Sequence, residues 1–274
     1  MTQIIEKRII IEQKYQLVID AISSRVPLSK QVIKSAMDKG CVWLKRGKKT
    51  NRIRRVKKPL NVGDEIFIYF NEKILSSVTM LPELLLDKKD YSVWFKPAGV
   101  FSQGSKWGDH CALARLVEKL LNRPTFLVHR LDRATSGLML IAHTKNTARD
   151  LSKMFADRDI EKTYLAIVEG RIPKKNITIE EPIDNKTAIS HVTLLESNKS
   201  KSLLKIKIET GRKHQIRKHL SGFGLPIIGD RLYGNADKKF PEDLQLQAIQ
   251  LKFNCPIDKH IVKIELSQDK KINL

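Results

Sequence analysis

Apolar positions recur along this chain at two spacings, and each spacing predicts a different element. Residues 28–40, LSKQVIKSAMDKG, put Val32, Ile33, Ala36 and Met37 on one helical face. Ser29 is available as the N-cap and Gly40 as the stop, so the segment predicts a short amphipathic helix. CVWL then reads as a strand, KRGKKTNRIRRVKK as a basic loop, and PLNVGDEIFIYF as a turn followed by an alternating strand. NEKILSSVTMLP, residues 71–82, breaks the pattern and ends in proline, which marks a linker. Beyond it, TFLVHRLD and GLMLIAHT are two apolar strands around a tight polar turn. LLKIKIE alternates at period two, and KNTARDLSKMFADRD reads as an exposed helix. The pattern predicts a small α/β domain over residues 1–70 and a larger α+β domain over 83–274. The larger domain is expected to carry a mainly antiparallel mixed β-sheet with flanking helices.

A chain of 274 residues is long enough for both domains to bury a core. No apolar run approaches the roughly 18 residues of a membrane span. Glu6, Lys7 and Glu12 interrupt the amino-terminal apolar residues, so no secretory signal is expected and the protein is read as cytoplasmic. Cys41, Cys111 and Cys255 are far apart, with no C-x-x-C pair and no histidine at ligand spacing, which argues against a disulfide framework or a zinc site. The formal net charge is +21, and residues 27–60 hold twelve basic residues against one acidic residue, Asp38. Charge concentrated in this way attracts a polyanion, and nucleic acid is the expected partner. The candidate contacts are Lys30, Lys34, Lys45, Arg46, Lys48, Lys49, Arg52, Arg54 and Arg55.

The chemistry-bearing segment is HRLDRATSG, which places a carboxylate, two arginines, two hydroxyls and a glycine between two apolar strands. Asp132 is expected to be held there by backbone and hydroxyl groups, with Thr135 and Ser136 as donors and Gly137 returning the chain to the strand. Taken alone, such an aspartate is most often a simple turn residue. TGRKHQIRKHL predicts a helix capped by Thr210, with Gly211 easing the turn. Arg217 then falls one turn after His214 and on the face of Lys213 and Leu220. Such a helix, taken alone, reads as a basic surface.

HRLDRATSGLMLIA, EKTYLAIVEG, TGRKHQIRKHL and GLPIIGDRLYG occur in the order that defines the RluA/RluD-type family of pseudouridine synthases, and KPAGV at residues 96–100 is similar to that family's first strand. LSK, VIKSAMDKGCVWL and KPLNVGDEIFI resemble an S4 RNA-binding domain over about 55 residues. In that segment Lys30 and Arg46-Gly47 replace the usual arginine and Asn-Gly. The resemblance implies isomerisation of uridine to pseudouridine in RNA, with no metal, redox cofactor or nucleotide energy source. By the same resemblance Asp132 is the essential carboxylate, Arg217 its partner, and Tyr164 the residue that stacks on uracil and serves the proton transfer at C5. Arg130 fills the space left by an extruded base, and Arg212, Lys213 and His214 meet phosphates. The amino-terminal domain favours large-subunit ribosomal RNA over transfer RNA, and a monomer is expected. Near the carboxyl end Gln247 and Cys255 stand where the family often has histidine.

Two other readings compete. A noncatalytic RNA-binding or ribosome-assembly factor needs no combination of Asp132, Tyr164 and Arg217. A glycoside or nucleoside hydrolase needs a second carboxylate about 5–10 Å from the first, and Glu161 is the candidate.

Overall fold

The computed structural model describes residues 2–13, 16–235 and 243–274. The chain divides into two compact units, Met1–Thr79 with Gln103–Lys119, and Met80–Ser102 with Leu120–Leu274.

In the first unit a strand β1 (Ile4–Ile10) precedes two helices, α1 (Val18–Ser23) and α2 (Lys30–Asp38). Strands β2 (Val42–Arg46), β3 (Lys49–Arg52) and β4 (Glu65–Asn71) and a short helix α3 (Glu72–Leu75) follow. The sheet order is β1-β4-β2-β3 and every pairing is antiparallel. Ser29 caps α2 as expected, its hydroxyl accepting from the Val32 amide at 3.3 Å. Ile33, Ala36 and Met37 are buried, whereas Val32 is 40% exposed and lies beside that stripe. Along β4, Ile66, Ile68 and Phe70 enter the core with Val42, Leu44 and Ile22, and Phe67 and Tyr69 face outward. β1 was not foreseen: Glu6, Lys7 and Arg8 break its alternation, a composition suited to a sheet edge, and Ile9 alone of its residues is buried.

Residues 103–119, expected to run with the larger domain, pack within the first unit. The Asp109 amide donates to the Lys39 carbonyl at 3.0 Å. Trp107 meets the ring of Tyr69 edge-on at 5.8 Å. The start of helix α4 (Leu113–Leu121) belongs to this segment.

The second unit carries β5 (Glu83–Asp87), β6 (Tyr91–Lys96), β7 (Phe126–Leu127), β8 (Ser136–Ala142), α5 (Lys145–Asp157) and β9 (Glu161–Glu169). These are followed by β10 (Asn176–Ile179), β11 (Ser190–Ser197), β12 (Lys201–Ile208), α6 (Gln215–Gly222), β13 (Leu246–Asn254) and β14 (Ile261–Glu265). Among the described residues these strands make one ten-stranded sheet, with β10-β11-β12-β9-β13-β8-β6-β5 as its path, β14 beside β13 and β7 beside β8. The β13–β8 contact is parallel, and the other ladders are antiparallel. This is the mixed, mainly antiparallel α+β architecture expected.

Both faces of the sheet are covered. Leu165 and Ile167 of β9 enter one core with Leu138 and Leu140, while Ala166 and Val168 enter another with Leu204, Ile216 and Leu220. Burial on both sides explains why β8 reads as an unbroken apolar run and not as an alternation. Gly137 stands where β8 meets β13, at φ +112°; a Cβ there would lie 2.2 Å from the Ala248 carbonyl oxygen. That close approach requires glycine.

Candidate active site

Asp132 sits in the connection from β7 to β8, and the backbone on both sides of it is pinned by residues 96–102. Ser102 Oγ donates to the Leu131 carbonyl at 2.6 Å and accepts from the Leu131 amide at 3.0 Å. Lys96 Nζ donates to the Arg133 carbonyl at 3.2 Å and to the Pro97 and Val100 carbonyls at 3.0 and 2.9 Å. The Gly99 amide also donates to the Arg133 carbonyl, at 2.8 Å. Lys96 is fully buried. Burial pushes its pKa down to about 7, opposed by the charge of Asp132. The three carbonyls use all of its ammonium donors, which makes it a staple for the loop. Thr135 contributes its backbone amide to the Asp132 carbonyl at 3.2 Å; it is Arg217 and His214 that meet the carboxylate.

Those two residues come from α6 and the loop before it. The helix begins at Gln215, five positions after the expected cap, with His214 as N-cap in the left-handed region at φ 57°. The Gln215 side chain causes this, because its Oε1 accepts from Thr210 Oγ1 at 2.6 Å and from the Arg212 amide at 3.0 Å, drawing 210–214 into a loop. Arg212 and Lys213 therefore lie before the helix. His214 Nδ1 bonds to the Tyr233 hydroxyl at 2.9 Å, and its Nε2 is 3.7 Å from Asp132 Oδ1. Burial and the neighbouring cations push the His214 pKa down against the pull of Asp132.

Arg217 Nη1 lies 3.5 Å from Asp132 Oδ2. Its stronger partner is Asp230, which it meets through two hydrogen bonds, Nε–Oδ2 at 2.7 Å and Nη2–Oδ1 at 2.6 Å. Asp230 is 1% exposed and also accepts from the Leu232 and Tyr233 amides at 2.9 and 3.1 Å. Burial works against both charges, yet the pairing prevails, raising the Arg217 pKa and lowering that of Asp230. A two-point contact fixes the guanidinium plane, so one edge is held while Nη1 is presented to Asp132.

A cleft of about 650 Å³ opens beside Asp132, lined by Arg130, Tyr164, Lys162, Arg158, Arg212 and His214 among others. Tyr164, on β9, is half-buried. Burial, then the charge of Asp132, push its pKa up, so its hydroxyl is protonated at neutral pH and its ring forms part of the wall. His129 is stacked on Phe155 at 4.2 Å and accepts from the Leu140 amide at 2.9 Å. Burial pushes its pKa down to about 3, which leaves it a neutral structural residue. Among the described residues lining this cleft and the smaller pocket of about 100 Å³ next to it, Asp132 is the one carboxylate. Glu161 is absent from both linings and is paired with Lys252 at 2.8 Å.

The structure brings Asp132, Tyr164, Arg217, Arg130, Arg212, Lys213 and His214 to one place. Arg130 is exposed and makes no side-chain hydrogen bond or ion pair among the described residues. The basic residues of the first unit form two groups. Lys34, Lys48, Lys49 and Arg55 have exposed, unpaired side chains among the described residues. Lys30 pairs with Asp20, Lys45 with Glu65 and Arg46 with Asp64, each at 2.6 Å. Arg52 lies 4.4 Å over Trp43, and both Arg52 and Arg54 bind Asp109. Sequence reasoning missed Lys96, Asp230, Arg158 and Lys162; the first two lie within KPAGV and GLPIIGDRLYG, segments in which no role had been given to either.

A sheet of this kind is shared with solved pseudouridylate synthases. Human RNA Pseudouridylate Synthase Domain Containing 1 shares it at TM-score 0.59 and 23% identity, over 70% of this chain and 86% of that one. Human RNA Pseudouridylate Synthase Domain Containing 4 does so at TM-score 0.56 and 26% identity, over 68% and 88%. Residues 90–222 match the model of the RNA pseudouridylate synthase family. An uncharacterized RNA pseudouridine synthase of Bacillus subtilis is 33% identical over 64% of this chain and 66% of its own length. One from Helicobacter pylori is 34% identical over 60% and 63%. The chain thus spans just under two thirds of the length of these relatives. Ribosomal large subunit pseudouridine synthase D of Borreliella burgdorferi is 29% identical over 78% of this chain and 74% of its own.

Proposed function

We propose that this protein converts uridine in RNA to pseudouridine, with ribosomal RNA of the large subunit as its substrate. The bond from C1′ to N1 breaks and one from C1′ to C5 forms; C5 gives up its proton and N1 gains one, so nothing is oxidised or hydrolysed. The observation that carries the reading is a single carboxylate, Asp132, on a loop stapled from both sides and set against a guanidinium that Asp230 holds in place. An ionised carboxylate can attack the sugar or the base, or take a sugar proton, and then leave again. Arg217 supports its charge in a half-buried site. A base stacked in RNA must be extruded to reach it, at a cost of a few kcal/mol. Arg130, exposed at the rim without a partner, is suited to stack on the neighbours left behind. Tyr164 offers a ring face to the uracil and a hydroxyl for the C5 proton transfer.

The first unit is read as an S4-like RNA-binding domain. Its capped helix α2 and the β2–β3 hairpin carry Lys34, Lys48 and Lys49, with Arg55 following, all free to meet phosphates. The ribosomal substrate is supported by this domain and by the printed name of the Borreliella relative. The hydrolase reading loses its second carboxylate, because Glu161 is outside the cleft. A noncatalytic binder has no use for the Asp132–Arg217–Asp230 chain of charges. Mapping pseudouridine in total RNA from cells with and without the protein tests the proposal; it requires at least one site to lose the modification, and an unchanged map would refute it.

A further inference from the structure

At one end of the cleft a buried cation has no anion to meet. Lys162, on β9 two residues before Tyr164, is only 9% exposed and lines the cleft. Among the described residues no carboxylate, carbonyl or hydroxyl lies within hydrogen-bonding distance of its Nζ. Its charged neighbours make the imbalance worse. Arg158 opposes its charge, and Lys162 in turn opposes protonation of His129. Arg158, the left-handed C-cap of α5 at φ 68°, lines the same cleft, and its side chain makes no hydrogen bond or ion pair among the described residues. Ser152, one and a half turns earlier on α5, adds a hydroxyl to the lining.

Lys162 is largely shielded and Arg158 is exposed, and neither side chain meets an anion among the described residues, so the pair holds positive charge on the cleft wall that an anion from outside can neutralise. Residues i and i+2 of a strand point to the same face, about 7 Å apart. Lys162 therefore stands one step along the cleft wall from Tyr164, in the cleft that Asp132 also lines. A uridine placed with its ring on Tyr164 and its sugar at Asp132 has its own backbone within reach of that step.

We infer that Lys162 and Arg158 form an anion subsite that takes one backbone phosphate of the RNA beside the extruded nucleotide. The inference rests on the proposed function and adds the means by which the displaced nucleotide is kept from falling back into the helix. Lys162 is a positioning residue: it holds the substrate strand while Asp132 meets the reacting atoms. Burial and Arg158 hold its pKa below the usual lysine value, so the grip weakens on the alkaline side at a lower pH than an ordinary lysine contact would.

The test uses the full chain and RNA labelled with tritium at uridine C5, prepared from cells lacking the protein. Each phosphate contact contributes about 0.7 to the slope of log affinity against log salt on single-stranded RNA. Lys162→Met is therefore expected to lower that slope by about 0.7 and to reduce kcat/KM for tritium release roughly tenfold, mainly through KM. Lys162→Arg should restore the slope and shift the alkaline limit of binding upward. Arg158→Met gives a second reading of the slope without altering a buried position. A wild-type slope in both methionine variants, with tritium release proceeding normally, overturns the subsite and leaves the synthase reading intact. Loss of slope in both, with no tritium released by the wild-type protein, retains the subsite and overturns the synthase reading.

Discussion

Replacing Asp230 with alanine removes both hydrogen bonds that hold Arg217. It leaves a guanidinium 6% exposed with Asp132 at 3.5 Å as its remaining carboxylate. Breaking a buried pair from one side costs about 3–5 kcal/mol. Each kcal/mol moves the midpoint of a domain of 150–250 residues by about 2–4 °C, so Asp230→Ala should unfold roughly 6–20 °C below wild type. Asp230→Asn keeps the shape and an oxygen acceptor but not the charge, and should lose less, about 1–3 kcal/mol. In that variant Arg217 is drawn towards Asp132, so kcat for tritium release falls while RNA affinity holds. The acid limb gives an independent readout. Asp230 has its folded pKa lowered by Arg217 and two amides despite burial. Its contribution is therefore complete above the unfolded value of about 3.9 and is lost as pH falls through the lower folded value. Asp230→Asn should flatten that part of the stability curve. Thermal unfolding of Asp230→Ala within about 2 °C of wild type, or an unchanged kcat in Asp230→Asn, would refute the reasoning.

Gly137→Ala forces a Cβ against the Ala248 backbone at a φ of +112°. It should lower stability by several kcal/mol and activity with it, as measured by urea unfolding; a difference under about 0.5 kcal/mol would contradict the close approach. Neutralising Lys34, Lys48, Lys49 and Arg55 together should lower the salt slope of RNA binding by about 3 with little change in melting temperature. An unchanged slope would remove the first unit from the RNA interface.

The elements legible in the sequence were those whose pattern records one environment. β4 alternates because one of its faces is covered, and α2 carries its cap and its stripe within ten residues. The turn that carries Asp132 could be located because polar residues between two apolar strands have nowhere else to go. β1 was hidden because an edge strand tolerates charge, and its partner β4 is some 60 residues away. The start of α6 was misplaced because Gln215 competes for the groups that Thr210 was expected to satisfy, a side-chain decision that periodicity does not record. Asp230 and Lys96 were illegible as site residues for the same reason: each acts through a contact made across the fold, on Arg217 and on the Asp132 loop respectively. Residues 103–119 continue the sequence of the second unit yet pack in the first, where Asp109 draws two of the arginines that charge alone would give to nucleic acid.

The proposed chemistry depends on one side chain, and its role is read from tritium release from C5-labelled RNA by Asp132→Asn. The substitution preserves size and hydrogen-bonding shape but cannot supply an anion. RNA binding close to wild type with no tritium released is the expected result; release continuing in the mutant at a rate comparable to wild type would remove Asp132 from the chemistry.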